Sequence, residues 1–389
     1  MTNDTTPPGR LTPPVGEFQE IDGRRLFVHR SGSGGPAVVF LPGASAVGLD
    51  YFHLQQQVAR STTAVVYDRG GTGYSDPLPL PRSAAAVATE LHDLLHAQDI
   101  AAPYVLVAHS LGGAYAHRFA QLYPREVAGL VWVDAFHRDW DEFLPSELSL
   151  AAGEQMAPEL EQIRQLRPAL REMGEKLFAE HPGHVRQALV DAHVSDEWIR
   201  VGFVERGNMA MLADELRAGP DLPDVPLIAL TAGGVDAADE AMLTEHLELV
   251  RKARAGRVRL DATVVSRVSH GEQRILSDAG HTFLISDHAD AVVQAIRDVV
   301  DLGGARLARR PPRTPQGETP HAYFHHARAD PGHAGHRGCA GADRRERTAR
   351  HGGAGRAHRQ REQNRLEGRR EDRGRLLGRR TVDQDEQAG

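Results

Sequence analysis

The sequence predicts an α/β fold: a mostly parallel central sheet flanked by helices, with a helical cap inserted between two of its strands. Three observations carry that prediction. Short uninterrupted apolar runs recur along the chain, as expected of strands buried on both faces. Amphipathic helical patterns separate those runs, which is the alternation that βαβ units require. From Phe136 to Asp224 the alternation stops, and the chain becomes charged and helical in pattern with no convincing strand.

Residues 1–16 are polar and proline-rich and read as a flexible N-terminus, without the charged start and apolar run of a secretory signal. "EFQEIDGRRLFVHR" then reads as a hairpin turning at Asp22-Gly23. The buried-strand signature follows in "PAVVFL" (36–41), "TTAVVYD" (62–68), "YVLVAH" (104–109), "GLVWVDA" (129–135) and "PLIALTAG" (226–233). Between them, "AAAVATELHDLLHAQDI" places Val87, Leu91, Leu94 and Leu95 on one helical face. "AYAHRFAQLYP" is a further helix, closed by Pro124, and "HADAVVQAIRDVVDL" (288–302) is an amphipathic closing helix. The expected organisation is therefore a core of residues 17–135 and 225–302, a helical cap of residues 136–224, and a tail of residues 303–389.

Hydrophobic residues make up 40% of the 389, enough for a sizeable core. The single cysteine, Cys339, excludes an internal disulfide framework and fits a reducing compartment. No window approaches the length of a membrane-spanning apolar run, so the expectation is a cytoplasmic protein without a membrane partner. The net charge of −7 conceals two materials: from Gly303 onward there are 20 Arg and no Lys against 11 acidic residues, while the remainder holds 26 basic and 42 acidic residues. The tail is rich in Arg, Gly, His and Ala and poor in large apolar residues, so it cannot offset its ordering entropy and is expected to be disordered. A basic tail could bind nucleic acid, but it has no aromatic interleaving and no motif. The same mixture is what an out-of-frame reading of GC-rich coding sequence produces.

The chemistry centres on "VLVAHSLGGAY" (105–115). A strand, then Ser110, then a Gly-Gly pair opening a helix is the layout of a nucleophile elbow. The turn is so tight that the residues two before and two after the serine must be small; here they are Ala108 and Gly112. A buried serine that merely ends a strand is the plain alternative, and neighbouring segments weigh against it. "FLPGAS" (40–45) ends a strand in a loop whose backbone N–H groups could face an oxyanion, with Ala44 as one donor and Leu111, just after the serine, as the other. "YDRGGTGYSD" (67–76) is a Gly-rich turn that lacks phosphate-loop spacing and reads as structural. "SDAGHTFLISDHADAVV" (277–293) places His281 in a Gly-led turn between a strand and the closing helix.

Together, "LPGAS", "YDRGGTGYSD", "AHSLGG" and "AGHTFL", in that chain order, resemble the α/β-hydrolase family across about residues 17 to 302. Two departures are Ala108 for the usual glycine and Pro42 where many members carry histidine. The resemblance implies that Ser110 attacks a carbonyl carbon, that His281 is the general base, and that a carboxylate orients the imidazole. Two acids compete. Asp236, in the "TAGGVD" turn after the cap, occupies the commonest position; Asp134, in "WVDAFH", occupies the alternative one, and Asp236 is the first choice. His109 and His270 read as structural, with the sharp turn expected to send the His109 ring away from the serine.

These residues imply a hydrolase acting through an acyl-enzyme on a small or medium ester, lactone or related substrate. Carbon–carbon bond hydrolysis or a cofactor-free haloperoxidase-like reaction on the same residues is the enzymatic alternative, and a ligand-binding receptor of the same fold the non-enzymatic one. Serine at position 110 argues against the haloalkane dehalogenase and epoxide hydrolase chemistries, which need aspartate there. No cofactor and no metal is expected: the tail histidines, such as His325 and His326, lack carboxylate or cysteine partners at ligand spacing. Trp140, Phe143, Met156, Phe178, Trp198, Phe203, Met209 and Met211 could line an acyl pocket, although helical spacing makes most of them the cap's own core.

Overall fold

The structure, a computed structural model, describes residues 11–155, 165, 167–236 and 246–308. Its centre is an eight-stranded sheet in the order β1-β2-β4-β3-β5-β6-β7-β8. The strands are β1 (Glu17–Ile21), β2 (Arg24–Ser31), β3 (Val38–Leu41), β4 (Ala64–Tyr67), β5 (Tyr104–His109), β6 (Val127–Val133), β7 (Leu227–Ala232) and β8 (Gly271–Leu276). β1 and β2 form the expected hairpin, with Asp22 and Gly23 both at positive φ, 50° and 72°, as a two-residue mirror-type turn requires. β2 pairs antiparallel with β4, and every later pairing is parallel.

The apolar runs become the inner strands because each must bury both faces. β3 to β7 are buried along their whole length. Alternation divides them between two layers. Val39, Leu41, Val65, Leu106, Leu130 and Trp132 face one side, under α2 (Ala84–Ala97), α3 (Gly112–Leu122) and α10 (Leu247–Val265). Val38, Phe40, Val66, Val105, Val107 and Val131 face the other, under α1 (Phe52–Val58) and α12 (Ala289–Ala308). Each such Val, Leu or Ile contributes roughly 1.5–3 kcal/mol by leaving water. The outer strands, "EFQEI" and "GEQRIL", are polar and partly exposed, which discourages edge pairing with another chain.

Between β6 and β7 the described residues are helical, as expected, and contain no strand: α4 (Trp140–Phe143), α5 (Leu150–Gln155), α6 (Arg167–Leu177), α7 (Gly183–His193), α8 (Asp196–Glu205) and α9 (Met209–Arg217). This segment is tied to the core by polar contacts. Glu215 of α9 accepts from the N–H groups of Ala84 and Ala85, both at 2.8 Å, and so caps the exposed end of α2. His193 meets Asp50 at 2.9 Å. A short α11 (Leu284–Asp287) precedes the closing helix.

That closing helix corrects the expected boundary at Leu302. It continues to Ala308, because Gly303 is buried against the backbone of Ala128 and a tertiary contact outweighs the composition. The rest of the tail lies outside the described residues.

Candidate active site

The loops after β3 to β8 meet at the carboxyl ends of the parallel strands, where open α/β sheets bind ligands. Ser110 follows β5 directly and sits at φ 49°, a left-handed conformation that a serine rarely adopts. Three backbone bonds hold it there: its N–H donates to Val133 O at 3.3 Å, and its carbonyl accepts from Gly113 at 2.9 Å and Phe136 at 2.7 Å. The requirement for a small residue at position 112 is steric. A Cβ on Gly112 would lie 2.1 Å from the carbonyl oxygen of Leu41, so α3 can start there only without a side chain. Ala108 is fully buried in β5, and its one methyl group is accommodated.

His281 lies between the serine and an acid. Its Nε2 is 3.0 Å from Ser110 Oγ, and its Nδ1 is 2.6 Å from Asp134 Oδ2. The carboxylate against the imidazole is thus that of Asp134, on the turn after β6, rather than that of Asp236, the first choice from sequence. Asp236 Oδ2 accepts from the backbone N–H groups of Thr282 and Phe283, each at 3.1 Å. It shapes the histidine loop from behind, and it can do so because position 280 is glycine: a Cβ there would lie 2.3 Å from the Asp236 carboxyl carbon.

Asp134 is itself at positive φ, 44°, and buried. Burial alone would raise its pKa. Arg257, the hydrogen bond from His281 and Arg254 outweigh that, so the carboxyl is held well below its ordinary value. Arg254 Nη1 reaches Asp134 at 3.3 Å and Arg257 Nε lies 3.6 Å away. Both arginines belong to α10, a helix that the sequence reading did not single out.

The Pro42–Ser45 loop lies over the serine; a Cβ on Gly43 would come within 3.0 Å of Ser110 Cβ. The loop is fixed from beneath by Arg69, whose guanidinium donates to Pro42 O at 2.7 Å and Gly43 O at 2.9 Å. Arg69 is paired with Glu205 of α8 at 2.7 Å, both buried, and the other Glu205 oxygen accepts from Ser45 N–H at 3.2 Å. In a planar trans peptide C=O and N–H point opposite ways. Anchoring Gly43 O on Arg69 therefore turns the Ala44 N–H away from the arginine. Gly43 N–H is already used, donating to Tyr51 Oη at 3.3 Å.

His109 departs from expectation. Its ring does not leave the site: it stacks on His281 with centroids 5.0 Å apart, and its Nδ1 is 2.7 Å from Tyr51 Oη. Burial, with the neighbouring His281, pushes its pKa down to about 3, so it is a neutral wall behind the imidazole. His270 is exposed. Of the candidate pocket residues, Phe178 and Trp198 are buried against His193 and Trp198 also against Tyr74, whereas Met211 is exposed and Met156 lies outside the described residues. Arg69, Glu205, Tyr51, Arg254 and Arg257 left no signal in the sequence, since each acts through a partner far along the chain.

With this geometry in hand, comparison with known proteins is direct. Residues 38–295 match the alpha/beta hydrolase family, and the chain belongs to that family. A putative carbamate hydrolase, RutD, of Cronobacter turicensis is 32% identical over 104 residues, 26% of this chain and 39% of that protein. An uncharacterized protein of Schizosaccharomyces pombe is 45% identical over 74 residues, 19% of this chain and 14% of its own length. The chain thus aligns with less than half of either relative. An esterase from Exiguobacterium antarcticum shares the fold, with a TM-score of 0.52 at 15% identity over 74% of this chain and all of that one. Among the described residues no helix is long and apolar enough to cross a membrane.

Proposed function

We propose that this chain is a serine hydrolase that opens a small or medium ester, lactone or related acyl substrate through a covalent acyl-enzyme. The observation that carries the reading is the continuous contact from Ser110 Oγ through His281 to Asp134. Asp134 accepts a hydrogen bond from Nδ1–H, which keeps the proton on that nitrogen and leaves the Nε2 lone pair facing the serine hydroxyl. As Ser110 Oγ bonds to the carbonyl carbon, its proton passes to Nε2, and the carbonyl oxygen takes up negative charge. The N–H groups of Leu111 and Ala44 are the proposed donors to that oxygen, with the N-terminus of α3 behind them adding its partial positive charge. The imidazolium then protonates the leaving group. Water, deprotonated by the same nitrogen, attacks the acyl carbon; the bond to Ser110 Oγ breaks, the imidazolium returns its proton to Oγ, and the acid is released. The partial likeness to a putative carbamate hydrolase is in keeping with an acyl substrate.

A series of p-nitrophenyl esters of rising chain length, run beside a lactone set, tests the reading. At least one is expected to turn over, and Ser110→Ala is expected to lower kcat by about 10⁴ to 10⁶ while leaving the thermal transition nearly unchanged. A fluorophosphonate should label the wild type and neither Ser110→Ala nor His281→Ala. Retention of a tenth of the activity by Ser110→Ala would remove the serine mechanism.

A further inference from the structure

At the opposite end of the sheet, the last turns of α2 and the turn leading into β6 bring three ligand side chains together. His92 and His96 are four residues apart on one face of α2, and Glu126 immediately precedes β6. Their ligand atoms all lie within 4.8 Å of one another. His92 Nε2 is 3.4 Å from one Glu126 oxygen, and His96 Nε2 is 3.4 Å from the other. Metal–ligand bonds of about 2.0–2.2 Å at tetrahedral angles place ligand atoms roughly 3.3–3.6 Å apart. Both nitrogen–oxygen spacings, 3.4 Å, fall in the range that a first-row divalent ion bridges.

The surroundings point the same way. Asp93 Oδ1 lies 3.0 Å from His92 Nδ1, which holds the proton on that nitrogen and leaves the Nε2 lone pair turned to the cluster. A carboxylate behind a histidine is the usual support of a metal ligand. The His92 ring is further fixed by stacking on Tyr123, with centroids 4.0 Å apart and planes 13° from parallel. Glu126 is anchored through its backbone: its N–H donates to Tyr123 O at 2.9 Å and its carbonyl accepts from Tyr104 at 2.7 Å. With Asp93 on its Nδ1, His92 turns an acceptor nitrogen toward the Glu126 carboxylate, and a cation between the two would satisfy both.

We propose that His92, His96 and Glu126 form a binding site for a divalent ion of the zinc class, with water completing the tetrahedron. The ion clasps the C-terminal end of α2 to the base of β6. β6 has seven residues, so the site lies roughly 20 Å from the Asp134 end of that strand. Its effect is on stability and not on turnover, and it stands whether or not the serine reading does.

The test is a titration of the full chain with Zn²⁺, and with Co²⁺ for its visible absorption, beside the variants His92→Ala/His96→Ala and Glu126→Gln. The wild type should bind one more equivalent of Zn²⁺ than the double variant and show a tetrahedral Co²⁺ spectrum that the variant lacks. Glu126→Gln, which keeps the backbone anchors, should weaken that equivalent at least tenfold, and Asp93→Ala should weaken it about 10-fold to 100-fold. Zn²⁺ should raise the thermal transition of the wild type and leave that of the His92→Ala/His96→Ala variant unchanged. Identical isotherms for wild type and variants would assign any bound metal to the other histidines of the chain and overturn the site. So would a cluster whose pH response is unaltered by Zn²⁺, which would make it a protonated His–Glu pair.

Discussion

The turns after β6 and β7 each carry an aspartate to the same edge of the sheet, yet the two carboxylates bond to different kinds of partner. Asp134 is buried, faces an imidazole and is flanked by two guanidinium groups. Asp236 accepts from two backbone N–H groups of the histidine loop. The first role depends on charge and on being an acceptor only, because the imidazole tautomer depends on it. The second depends on shape and on a lone pair, which an amide oxygen also offers. Residue type and position at the edge are shared; the bonded partner decides what each aspartate does.

Asparagine substitution separates the roles most sharply. Asp134→Asn is expected to lower kcat by about 10⁴ with little change in KM, since an amide at this position can donate to Nδ1 and turn the imidazole to the wrong tautomer. Steady-state kinetics on whichever ester proves active will show it. Near-normal turnover would reverse the assignment of the two aspartates.

Glu205 combines both kinds of bond, with one oxygen on Arg69 and the other on the Ser45 N–H. Glu205→Gln keeps an acceptor but leaves the buried Arg69 without its counter-charge. Breaking a buried pair in this way destabilises by about 3–5 kcal/mol. Because Arg69 also holds Gly43 O, kcat should fall as well, by roughly 10-fold to 100-fold, less than the loss of a whole oxyanion donor at its upper limit. Denaturation and kinetics on one preparation test both; a loss of stability with unchanged kcat would detach Arg69 from the proposed oxyanion loop.

Asp236→Asn should cost roughly tenfold or less, since tenfold corresponds to only about 1.4 kcal/mol in the barrier. Asp236→Ala, which removes the acceptor, should be worse than Asp236→Asn. If the two variants are equally impaired, charge and not shape is what position 236 supplies.

The smallest effect concerns the contact of α7 with the core at Asp50. Burial opposes the charge on His193, but Asp50 beside it prevails and raises its pKa above 6.5. The folded state therefore binds the proton more tightly than the unfolded chain. The resulting stability is fully present below the unfolded-state value and is lost as pH rises through the folded one. The melting temperature of the wild type should decline relative to His193→Gln as pH is raised from about 6 through the slightly alkaline range. Parallel curves would mean that the pair contributes nothing.

Much of this was legible in the sequence because it is local. The inner strands announce themselves as apolar runs, and Ser110 and His281 each sit in a short glycine-bearing turn whose shape follows from adjacent residues. The choice between Asp134 and Asp236 is not local. It depends on how the turns after β6 and β8 face each other across β7, and on two arginines of α10 whose pattern, "RKARAGRVR", reads as a solvated face. Glu205 and Glu215 were hidden in the same way: in a charged helical stretch, the two carboxylates that enter the core look like the others. The closing helix runs past Leu302, where the composition changes, because Gly303 fits against the backbone of Ala128, a contact far along the chain that composition does not announce.

The Arg69–Glu205 pair also bears on engineering. Substrate range in a capped enzyme is commonly sought by exchanging the cap, on the view that it is a module laid over a finished core. Here a transplanted helical segment would meet a buried arginine whose counter-charge is Glu205 of α8, and an α2 whose Ala84 and Ala85 N–H groups have lost Glu215. A graft should therefore either carry acids to both positions or be paired with changes that remove Arg69 and supply another acceptor for the Ala84 and Ala85 N–H groups, which the Ser83 cap on Ala86 does not reach.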